Sequence, residues 1–496
     1  MKLNSINAAR IIVGLFICAI ALYGGQLAVG KLELGGSSPD KQVLGSTTDL
    51  SQRAMEQYCT GVLVTPKSTW LVGRREGSLQ SAGFEFARNV PDLSELVYGK
   101  KKTDAADDSS GVFSSAVSRR DESISFISRL TTRGTFELIA IVPEVACLRA
   151  TPDGKTVFLM TGLDRPKSDT RAPTSNQDVI LQSDDQGVSW KWRQAGMFPD
   201  SESIGWNLAP YFFDARSVWA WRNEMNTPES DPATQLRFTG LQYSADGGAS
   251  VQDVMGSEAL LINVEDAKKK VNGEMSWGAH PNYSGDVKRH VLQFDTQKAA
   301  LWVSQTFQYR KPENDSFSNS VTVTSFAPLS LVAGRWQAGK IQRVFGFAIE
   351  SLRLSGDGKI FAVVRTSDGD DERLKLAQLE RDKMAWQDKG KLPSAFAFLP
   401  SWTGLRDFNV GRNAIVVNTT SNHEVPRAIY PWGGRGASIS GESVFYSVDG
   451  GQSWTRLSVD GYLGLLGLDT AKDRVIWAKG NWYSSRDANV YSYGLR

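Results

Sequence analysis

The sequence is poor in the residues on which most metal and redox chemistry depends. Only three cysteines and three histidines occur in 496 residues. The histidines, His280, His290 and His423, fall in loop-like stretches. No pair has metal-ligand spacing, so no metal site is expected, and no motif calls for a cofactor. Cys18 lies within an apolar N-terminal run, which leaves Cys59 and Cys147 in the body. Two cysteines in an exported body pair as a disulfide or stay as buried thiols, and the sequence leaves both open. An excess of one charge is also missing. With 56 Lys and Arg against 54 Asp and Glu, the net charge is +2. That excludes the electrostatics of a nucleic-acid-binding protein. Beyond the N-terminus no long helical pattern is visible.

The N-terminus stands apart. Lys2 and Arg10 precede an apolar run from Ile11 to Tyr23, continued weakly to Gly30. Residues 1–30 read as a hydrophobic helix, either a signal peptide or a membrane anchor, of about the 20 residues that a span takes. No small-x-small cleavage site stands out, and Cys18 lacks the small residue that a lipoprotein signal requires before it. Both readings place the body outside the cytoplasm. In a bacterium that is the periplasm, with the protein anchored to the inner membrane or released after cleavage. Residues 31–50 read as a linker with a closing strand, and 51–496 as one repeat domain.

What is present is a motif that occurs three times. It reads Ser183-Asp-Asp185-Gln-Gly187-Val-Ser-Trp190, then Ser447-Val-Asp449-Gly-Gly451-Gln-Ser-Trp454. A third copy, Ser244-Ala-Asp246-Gly-Gly248, has Val251 in place of the tryptophan. Each copy follows a short strand-like run. The Asp is expected to accept N–H groups two residues on, the Gly to supply a positive φ, and the Trp to bury its ring beneath the hairpin. These are structural roles.

A second repeat is subtler. Seven times a small or polar turn runs into a compact apolar strand. The set is Thr65–Val72, Thr151–Met160, Asp214–Trp221, Thr296–Val303, Ser355–Val364, Gly411–Val417 and Ala471–Trp477. In a propeller each is the turn from innermost strand A into strand B. The expected fold is all-β, a propeller of about seven four-stranded blades, with six as the alternative. The final strand, Asn489–Gly494, has no fourth strand after it, so the segment Lys31–Leu50 is expected to complete that blade and remove an exposed edge.

The ends of the B strands are cationic. Arg74 and Arg75, Arg165, Arg222, Tyr309-Arg310, Arg365 and Lys479 follow six of the seven apolar runs. Converging, they would hold an anion, since Arg matches carboxylate and phosphate in bidentate geometry. Diverging, they solvate strand ends. The segment from Glu424 to Arg435 adds Tyr430, Trp432 and Arg435, residue types that dominate contact surfaces.

On its Ser-x-Asp-x-Gly-x-x-Trp copies the chain resembles the Asp-box, or bacterial neuraminidase repeat, β-propeller superfamily. That resemblance implies a propeller from about Leu50 to Arg496. Sialidases of the superfamily hold a sugar carboxylate with three arginines, and their first arginine lies in a Phe/Tyr-Arg-Ile-Pro motif before the boxes. Here the nearest string, Tyr309-Arg310-Lys311-Pro312, comes after the second copy and has Lys for Ile. No catalytic residue can therefore be carried over. The function expected is a non-catalytic exported propeller that binds a protein partner or anionic ligand through its B–C loop face, in an assembly or immunity-type role. The alternative is a sialidase-like glycoside hydrolase acting on acidic sugars, with Tyr309, Tyr430, Glu224 and Glu313 as residue types that would serve it.

Overall fold

The run Ala299-Ala-Leu-Trp-Val303 contains no polar residue, unlike a strand with one face in water. The computed structural model supplies the reason. Ala299, Leu301 and Val303 pack with Trp219 and Leu241 on one side, and Ala300 and Trp302 with Ile349 and Ile360 on the other. The period of two persists, but both faces are buried. Residues Ile360 to Val364 divide the same way: Ile360, Ala362 and Val364 face one neighbour, Phe361 and Val363 the other. Burying a large apolar side chain contributes about 1.5–3 kcal/mol, so each such strand is fastened to two adjoining sheets.

The structure describes residues 41–46, 62–76, 123–131, 136–143, 146–151, 153–161, 179–193, 211–225, 236–262, 287–311, 314–368, 371–380, 385–394, 402–424, 438–459, 462–469, 472–480 and 489–495, with a few isolated positions between them. They form an all-β propeller of seven blades. The first strand, β1 (Lys41–Ser46), precedes blade 1, which is β2 (Val62–Val64), β3 (Thr69–Glu76), β4 (Ser123–Leu130) and β5 (Phe136–Pro143). Blade 2 is β6 (Ala146–Ala150), β7 (Val157–Thr161), β8 (Val179–Ser183) and β9 (Lys191–Arg193). Blade 3 is β10 (Tyr211–Phe212), β11 (Val218–Met225), β12 (Leu236–Ser244) and β13 (Gln252–Asp253). Blade 4 is β14 (Val287–Gln293), β15 (Lys298–Lys311), β16 (Asn314–Val332) and β17 (Arg335–Ala338), with β18 (Gln342–Phe345) also paired to β16. Blade 5 is β19 (Phe347–Leu354), β20 (Ile360–Asp368), β21 (Asp371–Glu380) and β22 (Ala385–Lys391). Blade 6 is β23 (Trp402–Val410), β24 (Ile415–Glu424), β25 (Ser438–Ser447) and β26 (Thr455–Leu457).

Blade 7 joins the two ends of the chain. It consists of β27 (Tyr462–Asp469), β28 (Arg474–Gly480) and β29 (Asn489–Gly494), and its fourth strand is β1. The register runs from Lys41 opposite Tyr493 to Ser46 opposite Asn489. The ring closes on the other side where Gly467 of β27 meets Val62 and Val64 of β2. A β-carbon there would lie 2.7 Å from Val62 Cγ1, so only glycine admits the approach.

All seven turn-and-strand strings of the sequence fall at A–B connections. Their polar residues close the turns. Thr151 Oγ1 donates to Asp153 Oδ1 at 2.6 Å, and Asp214 Oδ1 accepts the Arg216 and Ser217 N–H groups at 2.7 and 2.6 Å. Because each blade is an antiparallel meander, the A–B and C–D turns share one face of the ring and the B–C connections share the other. Cys147 is buried and disulfide-bonded; Cys59 lies outside the described residues, as does the N-terminal segment 1–40. Among the described residues no helix is long and apolar enough to cross a membrane.

Candidate functional site

The three Ser-x-Asp-x-Gly copies are C–D turns of blades 2, 3 and 6. Ser183 Oγ donates to Asp185 Oδ1 at 2.8 Å and accepts the Gly187 N–H at 2.7 Å. Ser244 and Ser447 repeat both bonds with Asp246 and Gly248, and with Asp449 and Gly451. The aspartate does not serve N–H groups two residues on, as the sequence suggested. It reaches four residues on, to Ser189, Ser250 and Ser453, each at 2.9 Å. The serine takes the tighter inner turn, which pushes the longer carboxylate outward. Ser250 and then the rest of this shell hold the Asp246 carboxyl at about 2.

These turns also press on the preceding blade. A β-carbon on Gly187 would meet Trp70 and Ile139 of blade 1, one on Gly247 would meet Arg193 of blade 2, and one on Gly451 would meet Leu376 of blade 5. The tryptophans act in the same seams. Trp190 packs into the core shared by blades 1 and 2, and Trp454 into that of blades 5 and 6. Val251 takes the same place between blades 2 and 3. The copy without a tryptophan thus keeps the function of the position with a smaller side chain.

The candidate cations lie in the half of each B strand nearer its B–C connection. Arg74 and Arg75 lie near the end of β3, Arg222 in β11 opposite Gly240, Tyr309 and Arg310 near the end of β15, and Lys479 near the end of β28. Arg165, Tyr430, Trp432 and Arg435 lie outside the described residues, as do His280 and Glu313. Arg365 is committed to its own blade. Its Nε donates to Glu350 Oε1 at 2.7 Å, while Lys288 Nζ of blade 4 reaches Glu350 Oε2 at 3.1 Å. Glu350 is the bulged residue of β19, between the paired Ile349 and Ser351, and the bulge turns its carboxylate toward these partners. Burial alone would push its pKa up; Lys288 and Arg365 outweigh that and hold it below the usual carboxylate range.

Blade 4 carries a long hairpin on this face, as blade 3 does where β11 and β12 stay paired beyond β10 to Met225 and Leu236. Strand β14 ends at Val287, opposite Gln305, yet β15 and β16 stay paired out to Tyr309–Asn319 and Lys311–Asn314. The hairpin therefore overhangs the A strand by six residues, about 20 Å at strand rise. Its base is braced. Phe307 and Val323 are buried with Ile262, and Ile262 exchanges bonds with the Gln305 side chain at 2.8 and 3.2 Å. Arg310 is a bulge in this arm.

The A strands carry a polar set that the sequence reading did not single out. Arg149, His290, Arg353 and Asp407 lie on β6, β14, β19 and β23, which line the central channel. His290 belongs to a strand, not to a loop as expected; burial foremost lowers its pKa to about 4, and its Nε2 lies 3.2 Å from Ile349 O. Burial raises the Asp407 carboxyl although Arg353 pulls against it. These positions escaped notice because one charged residue in each of several distant strands leaves no local signal. Among the described residues no group of three or more His, Cys, Asp or Glu is placed to hold a metal ion.

No protein-family model matches the chain, and no curated protein matches it. Among solved structures it is similar to a puromycin hydrolase S511A mutant complexed with PGG, at 10% identity over 88% of this chain and 53% of that one, with a TM-score of 0.40. It is similar to polysaccharide lyase Uly1, at 10% identity over 90% and 92% of the two chains, with a TM-score of 0.32. It is also similar to a Trypanosoma rangeli sialidase in complex with the inhibitor DANA, at 10% identity over 70% and 46%, with a TM-score of 0.27. The chain spans about half the length of the puromycin hydrolase. The chain's own strand order establishes what it is: a seven-bladed β-propeller closed by its N-terminal strand.

Proposed function

We propose that this is a non-catalytic exported propeller that grips a protein partner through its B–C face. The three C–D turns are read as Asp-boxes, and residues 1–30 as the export signal or anchor. The observation that carries the binding role is the braced arm of β15 and β16. The arm is held at its base by the packing of Phe307, Val323 and Ile262, which fixes its direction relative to the blade. Tyr309 and the bulged Arg310 stand in the overhang. Arg365 is paired with Glu350 of its own blade, which ties it to the scaffold.

The test is capture from envelope extracts with the full chain as bait. A stoichiometric protein held by wild type, lost with Tyr309→Ala plus Arg310→Glu and kept with Lys359→Glu on the opposite face, is the expected result. Turnover of fluorogenic acidic glycosides that disappears with the arm substitutions would replace this reading with a hydrolase.

A further inference from the structure

Arg149 and Arg353 occupy matched places in a repeat. The strings Leu148-Arg149-Ala-Thr-Pro-Asp-Gly-Lys155 and Leu352-Arg353-Leu-Ser-Gly-Asp-Gly-Lys359 end the A strands of blades 2 and 5 and enter their A–B turns. Each arginine pairs across to a phenylalanine, Phe158 or Phe361. Each Nη1 donates to the carbonyl of the preceding leucine, at 3.0 Å for Arg149 and 2.9 Å for Arg353. Blades 2 and 5 stand three places apart, the widest separation a ring of seven allows. The two guanidiniums therefore enter the channel from opposing walls, at the end where the A–B turns lie.

Among the described residues neither guanidinium makes a further hydrogen bond. A guanidinium carries five N–H groups, and among the described residues neither arginine has a carboxylate in ion-pair contact. The acids nearest in sequence are committed elsewhere. Asp153 takes Thr151 and Lys155, the latter at 3.4 Å, and Asp357 takes Ser355 and Lys359, the latter at 2.7 Å. Asp407, across the blade boundary, gives Oδ1 to the Phe408 N–H at 2.7 Å and attracts Arg353 without an ion-pair contact to it. Burial foremost, and then the like charge of Arg353, draw Arg149 down to about 10, so it stays charged at neutral pH with a second cation beside it. Two like charges on opposing walls of the channel repel each other, and an anion between them would relieve that repulsion.

We infer that Arg149 and Arg353 together bind a small oxyanion of the phosphate or sulfate class at the turn-face end of the central channel. A tetrahedral oxyanion presents oxygens to both walls at once, and each guanidinium can meet two of them. The site lies at the opposite end of the molecule from the β15–β16 arm and does not depend on the partner reading.

The test is calorimetric and thermal titration of the full chain with inorganic phosphate, and separately with sulfate, at ionic strength balanced by chloride. Wild type should give a saturable rise in melting temperature and a defined binding isotherm. Arg149→Gln and Arg353→Gln should each weaken binding roughly tenfold or more, and Arg149→Lys, which keeps the charge but loses the fork, should fall between. A rise that never saturates, or one that persists unchanged in the glutamine variants, overturns the proposal. Should a variant fail to fold, the wild-type titration against chloride decides alone: no saturable response there overturns it too.

Discussion

Gly451 lies so close to Leu376 of the preceding blade that a β-carbon on it would come within 2.2 Å of the leucine Cδ2. Its φ is +93°, a region that side chains avoid. Gly450 beside it has a φ of +75° but nothing within 4 Å. Alanine at each position separates backbone strain from the seam between blades. Gly450→Ala should cost about 1 kcal/mol in chemical denaturation, and Gly451→Ala about 1–3 kcal/mol more from overpacking. Equal losses would mean that the turn does not bear on Leu376.

Acid should weaken the turns in a definite window. The Asp246 carboxyl drops from 3.8 to about 2 on folding, chiefly through the Ser250 hydroxyl. A carboxylate whose pKa is depressed by folding stabilises fully above its unfolded value and loses that contribution as pH falls through the folded one. The stability gap between wild type and Asp246→Asn should therefore stay constant near neutrality and shrink as pH falls from 3.8 to about 2. Urea denaturation at stepped pH measures it; a gap that widens toward acid contradicts the assignment.

The Lys288–Glu350–Arg365 triad should behave as a structural joint of blades 4 and 5. Glu350→Gln leaves two cations facing each other and should destabilise by about 2–4 kcal/mol, more than Arg365→Met, because breaking a largely buried pair strands its partner. A double-mutant cycle between positions 350 and 365 should return a coupling of about 1–3 kcal/mol. Partner capture by the folded Arg365→Met protein should be unchanged. Loss of capture without loss of stability would place Arg365 in the binding surface instead.

Closure of the ring predicts a large effect from a short deletion. Starting the chain at residue 47 removes β1 and leaves β29 as an unpaired edge. Open edges recruit other chains. The truncated protein should melt at lower temperature and elute as aggregates in size-exclusion chromatography, and adding a peptide spanning Lys41–Ser46 should partly restore it.

Sequence patterns revealed the scaffold better than the site, for a physical reason. Strand B of each blade is buried on both faces, so runs such as Ile360-Phe-Ala-Val-Val364 stand out against their polar turns. The turn residues are equally visible because Ser, Asp and Gly act within a few positions of each other. Outer strands such as β9 and β13 were not legible: they are two or three residues long and carry exposed polar side chains. Ion pairing was hidden as well. The partner of Arg365 sits fifteen residues upstream on a bulge, and no spacing rule marks a bulge. The Arg149–Arg353 pair is farther from view, since what relates the two residues is the circular arrangement of blades and not any local interval.

The union of β1 with β29 also sets an order of events during synthesis. Of the described strands, the one that completes blade 7 is made first and its partner last. At roughly 5–20 residues per second on the ribosome, β1 waits on the order of 20 to 90 seconds before it can pair. Through that interval six blades can assemble, but the ring stays open. Until then the hydrogen-bonding edge of β1 has no ladder to join.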